Sequence, residues 1–265
     1  MEHPENNRKV FSQVIHPPGS RSAHFSFLLP DKVREAEDVF SLIDYLSFQA
    51  GEMGAINLLA EIEESHVLFE ALRHAGFSVF SWESIWRLPA DIGGDRSGSN
   101  WKPPATTDSN IVRCLDQTLV PPLVQNAEPF VNGDTPRLLY RANGDALAYV
   151  ESINGSAGIY LVPLIHPSVE DVQTLLIDLI GQFRGQGKPV YMQVRSYQAW
   201  LSDALSELKA QPSPRFALMV KHLAVGQLNP VREAQRARSE QRQADPAAPM
   251  VNNCNGSELS SQGLK

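Results

Sequence analysis

The residues His166-Pro167-Ser168-Val169-Glu170-Asp171-Val172 join an apolar run, Tyr160 to Ile165, to a segment with helical periodicity. A strand end that feeds a helix start is a place where proteins hold phosphate groups. The first helical N–H groups are free there, and the dipole is positive. Glycines normally let the phosphate come close. This junction has no glycine, and Pro167 removes a donor. Glu170 and Asp171 bring two carboxylates that suit the dipole themselves and repel an anion. Ser168 and Asp171 read as an N-cap and its reciprocal acid.

Few other residues have chemistry to offer. Glu61, Glu63 and Glu64 follow a strand and open a helix, where a general base for an amine could stand. They also suit a role as solvated acids that complement the dipole. His166 could be a base or ligand, or a turn histidine satisfied by backbone. His66 and His74 lie on one helix without a companion ligand, which argues against a metal. Arg195 and Tyr197 flank a strand end and could line a small cleft. Trp82 and Trp86 are four apart on a strand and share a face, which favours packing over a ligand platform. No Ser/His/Asp grouping, P-loop or dinucleotide fingerprint occurs. Cys114 and Cys254 are the only cysteines. They make neither a disulfide framework nor a zinc site, which fits a reducing compartment.

The elements that must position these residues fall in two segments. In residues 8–88, "HFSFLLP" reads as a strand, "EDVFSLIDYLSFQAG" as a helix ended by Gly51, and "AINLLAEIE" as a strand. "SHVLFEALRHAGF" follows as a helix ended by Gly76, then "SVFSWESIWRLP" as a strand. In residues 108–225 a helix meets Pro121-Pro122. "RLLYRA" and "ALAYVESI" flank an "NGD" hairpin signal. "AGIYLVPLI" is a strand before an amphipathic helix with Leu175, Leu176, Leu179 and Ile180 on one face. "VYMQVR", "YQAWLSDALSELKA" and "RFALMVKHLAV" close the segment as strand, helix and strand. Strand, helix, strand, helix, strand thus occurs twice, as two copies of one unit, the first abbreviated. Residues 89–107 have linker composition. Residues 226–265 read as a disordered tail, with a short helix around Val231 to Arg242.

This element order resembles the GNAT superfamily of acyl-CoA N-acyltransferases. The motif "FEALRHAGFSVFS" supports the likeness: Leu72, Gly76 and Phe77 fit the Leu-Gly-Phe-like turn that ends the family's fourth helix, with Ala75 where Leu is usual. "LVPPLVQNAE" and "VPLIHP" are similar to tandem GNAT-like proteins of bacteria. The resemblance implies an α/β fold of two tandem GNAT-like units, with mixed, mostly antiparallel sheets flanked by helices and packed on each other within the chain. It also implies an acyl-CoA pyrophosphate site at the strand-to-helix junction, here the degenerate positions Ser168, Val169, Glu170 and Asp171. In the first unit the same place reads "LPDKVREAEDV", again without glycine and with Glu35, Glu37 and Asp38. The family's general acid, a Tyr on the fourth helix, has no counterpart. Leu72 stands there in the first unit and Leu205 and Leu208 in the second, while Tyr197 comes about two turns too early.

Two functions follow from the resemblance. One is a non-catalytic binding or scaffold module for a small molecule or protein. The other is a divergent N-acetyltransferase that uses acetyl-CoA, or another acyl-CoA, on an amine. The formal charge of −7 and the lack of a basic stripe give no expectation of nucleic acid as partner. No apolar run approaches the roughly 20 residues that span a bilayer. The N-terminus lacks a secretion signal, and a cytoplasmic protein is expected.

Overall fold

The computed structural model describes residues 11–29, 36–89, 92, 99–130, 135–142, 144–183 and 185–223, apart from the side chains of residues 28, 29 and 36–39. The tail at 226–265, with Cys254 and the expected short helix, lies outside the described residues.

The first half contributes β1 (Phe11–Ile15), β2 (Ser22–Leu29), α1 (Ala36–Glu52), β3 (Asn57–Glu63), α2 (Leu68–His74) and β4 (Ser78–Leu88). The second contributes β5 (Trp101–Lys102), α3 (Ser109–Leu119), α4 (Pro122–Ala127), β6 (Arg137–Ala142), β7 (Asp145–Asn154) and β8 (Ile159–Ile165). It continues with α5 (Val172–Phe183), β9 (Val190–Arg195), α6 (Leu201–Glu207), β10 (Gln211–Pro212) and β11 (Phe216–His222). The strands form one sheet in the order β1-β2-β3-β11-β4-β9-β8-β7-β6-β5, with β10 paired to β4. Among the described residues only β2 with β3 and β8 with β9 are parallel. The fold is thus the expected mixed, mostly antiparallel α/β arrangement.

The last strands are exchanged between halves. β11 pairs β3 from Phe216↔Glu63 to His222↔Asn57, and β4 pairs β9 from Glu83↔Arg195 to Leu88↔Val190. β4 and β11 pair with each other between them. Each half therefore completes the other's sheet, and neither β3 nor β9 is an exposed edge.

Alternation along the strands sets the layers. On β11, Ala217 and Met219 join Ile43, Leu58, Leu68 and Leu72 beneath α1 and α2. Leu218 and Val220 face the other way, onto Val112, Leu115 and Val124 of α3 and α4. Trp82 packs with the α1 and α2 cluster and Trp86 with the α5 and α6 cluster, so these four helices share one face. The C-terminal carbonyls of α4 are tied to the first half: Ser22 Oγ donates to Ala127 O (2.6 Å) and Asn57 Nδ2 to Asn126 O (3.4 Å).

Local corrections have physical causes. The first helix does not end at Gly51. It runs to Glu52 and turns at Gly54 (φ +92°), where Ala55 N donates to Ala50 O. The second turn of this type follows α2 as expected, with Gly76 at φ +91° and Phe77 N donating to Leu72 O. After α6 the same geometry recurs without glycine. Lys209 takes φ +59° and Ala210 N donates to Leu205 O, so Lys209-Ala210 stand where Gly76-Phe77 stand. A non-glycine residue there costs about 1–2 kcal/mol. Within the stretch read as linker, Trp101 is buried, donates Nε1–H to Leu175 O (3.1 Å), and packs against Tyr140. No described helix is long and apolar enough to cross a membrane.

Exchange of final strands makes the halves interdependent. Residues 1–95 expressed alone should be insoluble or lack a cooperative melt, and co-expression with residues 105–226 should recover a folded complex. A soluble, cooperatively melting 1–95 fragment would contradict this.

Candidate functional site

Both parallel strand pairs open in the same way. β2 and β3 pair only at Ser22↔Asn57, Ala23↔Leu58 and His24↔Leu59. β8 and β9 pair only at Ile159↔Val190, Tyr160↔Tyr191 and Leu161↔Met192. Beyond those residues each pair splays, although β2 continues to Leu29 and β8 to Ile165. A splayed strand edge carries N–H and C=O groups with no ladder partner, which a ligand can take up.

The second splay is filled from within. Gln198, 2% exposed, donates Nε2–H to Pro163 O and accepts from Ile165 N on Oε1, both at 2.8 Å. Its amide thus replaces a neighbouring strand for β8. At the adjoining junction His166 is held in its own turn: Ser168 N donates to His166 Nδ1 (3.1 Å), and Val169 N donates to His166 O. Ser168 is spent on that turn and is not the N-cap, a correction to the expectation from sequence. Asp171 takes that place. Its Oδ1 accepts from Thr174 N (2.9 Å) and its Oδ2 from Thr174 Oγ1 (2.7 Å). These hydrogen bonds, the Thr174 backbone first, hold the Asp171 carboxyl below its usual range. The chain's own anion occupies the helix N-terminus. Val169 is buried and Glu170 exposed.

The first splay is open. A cavity of about 100 Å³ lies between its strands, lined by Phe25, Phe27, Ile43, Ala60, Leu68 and Leu72, with Glu61 beside them. Its junction, with Glu35, lies outside the described residues, as do the side chains of Glu37 and Asp38.

Between the halves lies a polar cluster on the α3 and α4 face. Glu83 of β4 and Arg195 of β9 are register partners. Their side chains are 2% and 13% exposed, with Arg195 Nε 2.8 Å from Glu83 Oε2. Gln193 Nε2 donates to Glu83 Oε2, and Arg195 Nη1 donates to Glu128 Oε2 (3.0 Å). Burial pushes the Glu83 carboxyl up to about 7. Arg195 opposes that rise, and the negative charges of Glu61 and Glu128 add to it. Arg195 itself is raised: burial lowers it, and Glu128 and Glu83 outweigh that. Burial pushes Tyr197 up to about 12 and carries Tyr160 well above the usual phenol range.

A carboxyl that titrates near neutrality has the acidity of a general base. Glu83, however, has almost no exposed surface and is held by Arg195 and Gln193. Its geometry is that of a clamp across β4 and β9. The structure brings Arg195, Tyr197 and Glu61 into one electrostatic neighbourhood. It leaves Glu63 beside Ser65 and Glu64 beside Arg215, whose guanidinium lies over Trp82 at 3.9 Å. Leu72, Leu205 and Leu208 are buried core. His66 bonds within its own turn, accepting from Leu68 N. Among the described residues no group of three or more His, Cys, Asp or Glu is placed to hold a metal. Reading the sequence missed Glu83 and Glu128. The signal for Glu83 was an acid between Trp82 and Trp86 in a strand otherwise apolar or small at buried positions.

The fold is that of the GCN5-related N-acetyltransferases. Solved structures of similar fold include such a protein from Sphaerobacter thermophilus (TM-score 0.55, 11% identity, 80% of this chain and 76% of that one). Another is from Kribbella flavida (TM-score 0.51, 12% identity, 76% and 80% of the two chains). A functionally unknown conserved protein from Staphylococcus epidermidis ATCC 12228 is also similar (TM-score 0.57, 10% identity, 77% and 85%). At these identities the likeness is one of fold. No protein-family profile matches the chain, and no curated protein matches it by sequence.

Glu83 has a folded value above its ordinary 4.5. Its protonated form therefore stabilises the fold, a contribution present below the unfolded value and lost as pH rises through about 7. In Glu83→Gln the melting midpoint should lose much of its decline across that window. Arg195→Met removes the cation that holds the Glu83 carboxyl down, so the pH window of this decline should move upward. A Glu83→Gln profile parallel to wild type would show that Glu83 does not titrate there.

Proposed function

We propose that the chain is a non-catalytic binding module built on the GNAT fold, with no acyl-CoA site in its second half. The observation that carries this reading is the self-occupied junction: Asp171 caps the helix N-terminus and Gln198 fills the adjoining splay. A pyrophosphate would meet the Asp171 and Glu170 carboxylates and no glycine. The residues of the second half do not fit the cofactor.

A divergent N-acetyltransferase is the second reading. The open apolar splay of the first half, with Glu61 beside it, favours this alternative. It would require the first half to hold acetyl-CoA unaided by a second-half site.

Calorimetric titration with acetyl-CoA separates the two. The full chain should show no saturable binding at micromolar concentrations. A low-micromolar dissociation constant that Ala60→Trp abolishes would replace the first reading with the second. If charge alone excludes the cofactor, Glu170→Gln with Asp171→Asn should create weak binding, and Gln198→Ala should strengthen it.

A further inference from the structure

At the opposite ends of the strands from the splay of the second half lies a basin of about 730 Å³. That volume is in the range of small-molecule sites, roughly 300–1,000 Å³. The C-terminal end of β4, the C-terminus of α5, the start of β9 and the turn after α6 enclose it. Leu88, Ile180 and Phe183, all buried core residues, supply apolar lining. Arg87, Lys188 and Lys209 line it as well, and among the described residues no acidic one does.

Cations beside helix C-termini have an ordinary explanation, since they complement the dipole. Charge arithmetic limits that explanation here. Two helices, α5 and α6, end at the basin, and each presents roughly half a negative charge. Among the described lining residues, the three cationic side chains exceed that by about two charges. They do so in a chain whose formal charge is −7. Arg87 and Lys209 have no ion-pair partner among the described residues. Lys188 is fixed in place by bonds to Asn154 Oδ1 (2.7 Å) and Gly155 O (2.9 Å), which leaves one of its three N–H donors free. Lys209 occupies a left-handed position that glycine fills at the equivalent turn after α2. A cation stands there against local backbone preference.

We propose that this basin binds an anionic amphiphile: one carboxylate or phosphate head held by Lys188, Lys209 and Arg87, with an aliphatic body on Leu88, Ile180 and Phe183. This site is independent of the acyl-CoA question. It lies at the other end of β9 from the splay and shares no side chain with it.

The test is calorimetric titration of the full chain with decanoate and with decyl phosphate, below their micelle concentrations. Decanol and decyltrimethylammonium serve as neutral and cationic controls. Saturable one-to-one binding of either anion, with neither control competing, is expected. Preference for decanoate or for decyl phosphate identifies the head group, and either preference supports the site. Affinity should fall about tenfold or more in the double variant Arg87→Gln, Lys209→Gly, the scale of one lost charge-assisted contact. Lys209→Gly relieves the left-handed strain, so it should melt at the same temperature as wild type or higher. Weaker binding with an undiminished melting midpoint cannot then be loss of fold. Failure of both anions to bind, equal binding of the cationic control, or unchanged affinity in the double variant overturns the proposal.

Discussion

The pairing of β4 with β11 at the centre of the sheet is the contact on which the rest of the chain depends. It lets each half place its last strand beside the other half's β9 or β3, so that every central strand has two neighbours. A strand at this position must be apolar on both faces, because helices lie above and below it. β11 meets that demand: Ala217 to Val220 are all buried, alternating between two cores. Either half by itself would present a long apolar edge to solvent.

The exchange also explains where polarity was admitted into the interior. The face under α1, α2, α5 and α6 is closed by four helices, whereas among the described elements α3 and α4 are the only helices on the other face. In the middle of that less covered face lie Glu83, Gln193 and Arg195, and Glu128 reaches them from the end of α4. A buried ion pair is a weak source of stability, because desolvation offsets the attraction. It is a strong constraint on register. A one-residue slip of β4 on β9 would turn Glu83 to the opposite face and leave Arg195 with only Glu128. The cluster therefore specifies how the halves are joined more than how tightly.

Much of the architecture was legible in sequence. Helical spacing in Val172–Phe183 and alternation in the main strands were readable, and so was the repeated order. Gly76 announced its turn because only glycine enters that conformation without strain. Lys209 hid the matching turn by breaking that rule. β1 and β5 were missed. Five- and two-residue strands carry little period, and the burial of Trp101 is decided by distant partners, Leu175 and Tyr140. Strand exchange itself has no local signature, since β11 reads the same beside β3 as beside β9. At the candidate site, the missing glycines and the acids were visible. What could not be seen was which acid would cap the helix, or that a glutamine more than thirty residues downstream would close the splay.

Strand exchange also sets an order of events during synthesis. About 150 residues separate the end of β3 from the start of β11. At roughly 5–20 residues per second, the ribosome takes about eight to thirty seconds to make that interval. From the time the first half has left the tunnel until β11 is made, the edge of β3 that carries Leu58, Leu59 and Ala60 has no β11 to pair with. The chain is obliged to fold after translation rather than half by half. The nascent first half, more than the finished protein, is the species on which chaperone dependence should fall.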